Sequence, residues 1–140
     1  MNTRMYLVAL LLLIIGCSTQ QENPLLQEWD TPFQTPPFDE IKNEHFMPAF
    51  LEGMKAEKAE VNAIIANEAA PTFKNTIEAL EKSGVLLERV SRVFNCLNEA
   101  NTNDELQQIS KEVAPLQTRH YDDIYLNNKL FVKLSQIYKQ

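Results

Sequence analysis

Glycine is scarce in this 140-residue chain, with three in all, and cysteine and histidine number two each. So few glycines leave no Gly-rich loop to cradle a phosphate, and no Gly-containing two-residue turn joins alternating strands. Neither of the histidines, His45 and His120, belongs to a His-x-x-x-His pair on one helix face. No Glu-x-x-His step occurs either, because position 117, three before His120, is Gln. A zinc hydrolase site needs about three protein ligands and an open position. The sequence therefore offers no catalytic residue and no metal ligand by local pattern, and a small metalloprotein using His45, His120 and nearby acids would need its ligands gathered in space. The two cysteines are Cys17 and Cys96, and no serine elbow or thiol–imidazole arrangement is present. Positive charge is also short, with 13 Lys and Arg against 19 Asp and Glu and a net charge of −6. That balance excludes nucleic acid as a partner and argues against electrostatic binding to anionic lipid.

The longest apolar run, Met5 to Ile15, has eleven residues. A membrane-spanning helix needs roughly 20, whereas a secretory h-region needs only about 7–15. Arg4 precedes the run and "IIGCS" closes it. A small residue followed by Cys matches a bacterial lipoprotein signal, with Ile14 at the position usually held by Leu. Residues 1–16 are thus expected to be a signal peptide and Cys17 the lipidated mature N-terminus, anchored to a membrane surface without spanning it. Ser18 after the Cys points to the outer membrane, on the periplasmic side of the cell envelope. Cleavage there removes Arg4, leaving 12 basic against 19 acidic residues and a charge of −7. Acylation of Cys17 would leave Cys96 with no intrachain partner. Placed beside Val93, Phe94 and Leu97, Cys96 is expected to be a buried, inert thiol.

Residues 17–42 hold Pro24, Pro32, Pro36 and Pro37, which break any helical pattern. They also hold Leu25, Leu26, Trp29, Phe33, Phe38 and Ile41, too many large apolar groups for a solvated tether. The segment is expected to be an irregular arm pinned by its aromatics. Residues 43–140 read as helical. Phe50, Met54, Val61 and Ile65 recur at helical spacing over about 44–67, with Lys55, Lys58 and Glu60 turned outward and Pro48 in the opening turn. Thr72, with Asn75 or Thr76 as alternatives, is the expected cap of a second helix running to about Ala100, in which Gly84 marks close packing or a bend. Thr102 and Glu105 form a capping-box pattern for a third helix, carrying Leu106, Ile109, Val113 and Leu116 and kinked at Pro115. His120 continues that stripe, so its ring is expected to be partly buried, with Asp122 and Asp123 in solvent. A last helix covers about Asn128 to Tyr138 with Leu130, Phe131, Leu134 and Ile137. The fold class is all-α, a bundle of antiparallel helical hairpins with a Pro-rich N-terminal arm. His45, at the mouth of the first helix, is read as packing rather than chemistry.

The order of small motifs carries a resemblance. Asn23-Pro24, Thr31-Pro32-Phe33, Pro37-Phe38, Ile41, His45-Phe46, Pro48-Ala49-Phe50 and Gly53-Met54 follow one another, then "PTFKNTIEALEKSG", "NEANTNDELQQISKEVAPL" and "HYDDIYLNNKLF". Together they resemble the start of the M3 family of zinc metallopeptidases, to which peptidyl-dipeptidase, oligopeptidase A and thimet oligopeptidase belong, with the likeness strongest to bacterial peptidyl-dipeptidases. The resemblance implies two mostly helical lobes around a narrow channel, with one zinc held by a His-Glu-x-x-His helix and a downstream Glu. Short peptides would be the substrates, losing C-terminal dipeptides. None of the family's zinc-site residues maps onto a position of this sequence. The chain is therefore expected to supply scaffold and channel wall, inactive alone, with the missing catalytic lobe as its partner. The C-terminal "LSQIYKQ" stops mid-pattern without a capping glycine, as expected of a segment of a longer polypeptide. The alternative is a free-standing helical lipoprotein that uses this segment as an interaction module.

Overall fold

The computed structural model describes residues 22–139. The signal peptide at 1–16, lipidation at Cys17 and the first residues of the arm lie outside the described residues.

The arm is irregular, as expected, and Leu25, Leu26, Trp29 and Ile41 of the expected groups pack it on the core. Asn23 caps a 3-10 turn over Pro24–Leu26: its Oδ1 accepts from the Leu25 N–H at 3.0 Å, and its Nδ2 donates to the His45 carbonyl at 2.8 Å. That turn drives Leu25 completely into the core. The Trp29 indole N–H donates to the Pro24 carbonyl at 2.8 Å, and the Arg89 guanidinium lies 4.9 Å over the Trp29 ring while donating to the Leu25 carbonyl. Phe33 and Phe38, expected to help pin the arm, point into solvent instead. Residues 31–35 close on themselves, with the Thr31 hydroxyl donating to the Thr35 carbonyl and the Thr35 hydroxyl to that of Pro32. This closure puts Phe33 and Gln34 at φ 60° and 54° and swings the phenyl ring outward.

Helix α1 (Phe46–Ala66) follows a 3-10 turn at Asn43–His45, with Pro48 in its first turn, where the missing N–H costs nothing. Its inward stripe includes Phe46, Ala49, Phe50, Gly53, Met54, Val61 and Ile64. Thr72 caps the next segment, accepting from the Asn75 N–H at 3.1 Å while the Asn75 side chain accepts from the Thr72 N–H at 2.8 Å. The single helix expected from there to Ala100 is two: a π-turn (Phe73–Ile77) running into the short α2 (Glu78–Glu81), then α3 (Val85–Ala100). Gly84 makes the break, at φ 74°, a left-handed conformation that glycine adopts without a Cβ penalty. Helix α4 (Asp104–Tyr125) is capped by Asn103, whose Oδ1 accepts from the Leu106 N–H at 2.9 Å. The expected Thr102–Glu105 box does not form. Thr102 donates to Asn98, and Glu105 accepts from Asn43 at 2.8 Å. The helix runs on through Pro115. Leu116, placed on the buried stripe from sequence, is 36% exposed, and the stripe continues through Gln117, His120 and Ile124. Helix α5 (Asn128–Tyr138) is capped by Asn127 and buries Leu130, while Phe131 faces out.

The contacts give the topology. Phe46 and Phe50 both meet Phe94 edge-on at 5.1 and 5.4 Å, and Gly53 meets Leu87, so α3 runs antiparallel to α1. A Cβ on Gly53 would lie 2.9 Å from the Leu87 Cα, so only glycine lets the two backbones come this close. Asn43 pairs with Glu105 and Glu57 with His120, so α4 runs parallel to α1 and antiparallel to α3. The described residues form an all-α bundle with no strand. Its larger core joins Leu25, Phe46, Phe50, Met54, Leu87, Val90, Phe94, Leu106 and Val113, and a second core joins Val61, Ile64, Ile124 and Leu130. Cys96, expected to be buried, is exposed: α3 turns its 87, 90, 93, 94 and 97 positions inward, and 96 falls on the far side.

Candidate functional site

One polar pair is enclosed between the two cores of the bundle. On α1 the inward stripe steps from Met54 through Glu57 to Val61, so a carboxylate takes a position that helical spacing reserves for an apolar group. On α4 the stripe steps from Val113 through Gln117 and His120 to Ile124. The two exceptions meet. His120 Nε2 lies 2.8 Å from Glu57 Oε2, with the side chains only 6% and 13% exposed. A buried carboxylate without a partner would cost several kcal/mol, and the imidazole N–H supplies that partner. Gly84 closes the third side. Its N–H donates to Glu60 Oε2 at 2.8 Å, and the Glu57 carboxyl fills the space where a Cβ on residue 84 would stand, 2.6 Å away. Nearby, Gln117 donates to the Ser91 hydroxyl at 3.3 Å, and that hydroxyl donates to the Leu87 carbonyl at 2.7 Å.

At the solvent edge of this layer, Tyr121 packs 5.5 Å from the His120 ring. Burial pushes its phenol above the usual range, and the negative charge of Glu57, then Tyr125 and Glu88, pushes the same way. Asp123 pairs with Lys58 at 2.9 Å, and the hydrogen bond and charge of that ammonium hold its carboxyl below the usual range. A depressed carboxyl favours the folded state at neutral pH, and this share is lost as the pH falls through its folded-state value.

His45 belongs elsewhere. Its Nδ1 accepts from the Lys42 N–H at 3.1 Å, so a neutral ring carries its proton on Nε2 and closes the turn that starts α1. This is the packing role expected of it. Twelve residues separate His45 from Glu57, roughly 18 Å along a helix at 1.5 Å per residue. The two histidines therefore do not meet. Among the described residues, no three His, Cys, Asp or Glu side chains are placed to hold a metal ion, and no Ser or Cys side chain hydrogen-bonds to either ring. One imidazole facing one carboxylate does not fit a three-ligand zinc site. What the arrangement does is brace α1 against α4. Glu57 escaped the sequence reading, although its place midway between Met54 and Val61 on the buried stripe was the signal.

No family model matches the chain. It is 44% identical over 118 residues to dipeptidyl carboxypeptidase of Salmonella typhimurium, a match covering 84% of this chain and 17% of that protein. The Escherichia coli dipeptidyl carboxypeptidase is 43% identical with the same coverage. Oligopeptidase A of Salmonella typhimurium is 30% identical over 98 residues, covering 70% of this chain and 14% of that protein. The chain thus spans about a sixth of the length of these relatives.

Proposed function

We propose, on the premise that this chain is homologous to a part of the M3 family of peptidases, that it is the helical scaffold segment of a longer zinc-dependent peptidyl-dipeptidase. The observation that carries this reading is the 44% identity spread over 118 residues, 84% of the chain. The relatives named dipeptidyl carboxypeptidase point to short peptides as substrates and to release of C-terminal dipeptides. Zinc belongs, in this reading, to a His-Glu-x-x-His helix outside this chain, where it would activate the water that attacks the peptide carbonyl. The residues here contribute rigidity. The His120–Glu57 brace and the two cores hold one wall of the channel against a catalytic lobe. We further infer that a lipid on Cys17 anchors the protein to the periplasmic side of the outer membrane. No helix among the described residues is long and apolar enough to cross a membrane.

Dipeptide release from short peptides, with and without a chelator, tests the reading. The 140-residue chain is expected to show none, whereas a form extended through a His-Glu-x-x-His segment is expected to show chelator-sensitive release. Chelator-sensitive release by the 140 residues alone overturns the scaffold role.

A further inference from the structure

Every acidic residue of this chain lies at or before Asp123, and Leu126 to Gln140 holds three lysines, Lys129, Lys133 and Lys139, and no acid. Setting those three aside leaves 10 basic against 19 acidic residues, so the remainder carries −9 while this stretch carries +3. Helix α5 is thus a basic island on an acidic body. Among the described residues, none of its lysines is within ion-pair distance of a carboxylate. Lys133 instead donates to the Asn67 carbonyl at 2.6 Å, tying α5 to the loop after α1.

That tie leaves an open groove of about 500 Å³ between the loop and α5, with Ile65, Ala69 and Val132 among its apolar walls, Lys129 and Lys133 along the α5 side and Glu68 on the loop side. The outer surface beside it is unusually apolar: Leu126, Phe131 and Val132 are 75%, 65% and 52% exposed. Surface of this composition, apolar and aromatic with charge at its edge, is typical of a polypeptide interface.

We propose that this groove is a docking slot for an acidic polypeptide segment with apolar flanks, contributed by the part of the longer peptidase outside this chain. The proposal rests on the scaffold reading above. Charge complementarity favours this occupant, because two lysines against the single Glu68 leave the groove net positive and an acidic side chain reaching Lys129 and Lys133 adds counter-charge along α5. A symmetric pairing of two copies through α5 would instead stack four lysines, Lys129 and Lys133 from each copy, which opposes a closed dimer. The −9 of the surrounding body opposes approach to anionic lipid.

The test is a titration of the isotope-labelled chain, followed by amide chemical shifts, with a short amphipathic peptide of leucine and glutamate as probe. The amides of residues 65–71 and 128–136 are expected to shift, and added salt is expected to weaken the effect. Replacing both lysines, K129E with K133E, is expected to weaken binding on the order of tenfold or more through like-charge repulsion, and K55E on the outer face of α1 to leave it unchanged. A glutamine version of the peptide that shifts the same amides equally overturns the proposal. So do shifts confined to α1 or α3, or a response of α5 to vesicles of anionic lipid in place of the peptide. Binding of the acidic peptide alongside an inactive extended protein would sustain the groove and sink the peptidase reading, so the two failures are distinguishable.

Discussion

Gly84 and Glu57 share one small volume from opposite sides. The glycine has no Cβ, and the carboxyl group takes the space a Cβ would need. Gly84→Ala would meet both a left-handed φ of 74° and the Glu57 carboxyl at 2.6 Å. It is expected to lower the unfolding free energy by about 1–3 kcal/mol, read as a drop in the urea midpoint at constant slope. A loss under about 0.5 kcal/mol would mean both that Glu57 swings aside and that residue 84 leaves its left-handed conformation. The Glu57–His120 pair makes a sharper forecast. Glu57→Leu or His120→Leu alone strands its partner in a dry site and should cost about 2–4 kcal/mol, while the double replacement should recover much of that loss. A double-mutant cycle by urea unfolding measures the coupling, and single losses that simply add would rule out the brace. Surface pairs such as Lys55–Glu52 carry no comparable expectation, because solvent screens them.

The helices form where hydrophobic spacing puts them, but their ends depend on which side chain wins the exposed N–H groups. Three polar residues, Asn101, Thr102 and Asn103, precede α4, and each type can cap. Asn103 takes the role because Thr102 is committed to Asn98 and Gln107. Asn103→Ala should therefore cost about 1 kcal/mol, and Thr102→Ala less than about half of that; thermal unfolding of the two variants side by side decides it. The break between α2 and α3 shows the same limit. Leu80, Leu87 and Phe94 keep one helical period across Gly84, so spacing alone cannot reveal that the chain turns left-handed there. Cys96 and Leu116 misled for a related reason. Cys96 lies near buried Phe94 in sequence and Leu116 three residues after buried Val113, but each residue turns the helix by 100°, and only the packing partner decides which stripe is covered; on α4 it runs from Val113 to Gln117 instead.

At the scale of the molecule, one polar layer divides two apolar cores, and α5 with the loop after α1 forms a basic, apolar corner on an acidic bundle. The anchor proposed at Cys17 belongs to this scale too. Cys17→Ser is expected to abolish incorporation of labelled palmitate and to move the protein from the membrane to the soluble fraction. Unchanged labelling in that variant would refute lipidation at this position.

Composition, spacing and breaker residues by themselves determined the all-α class, the span of α1, the cap at Thr72, the limits of α5 and the burial of His120, because each depends on local period or local hydrogen bonding. The ordered motifs determined the kinship with the peptidases. Only the tertiary structure decided that Glu57 meets His120, that Phe33 and Cys96 face solvent, and that Lys129 and Lys133 flank a groove. Those outcomes depend on the rotation and depth of one helix against another, and a one-dimensional pattern does not encode how residues 63 apart in sequence come within 2.8 Å.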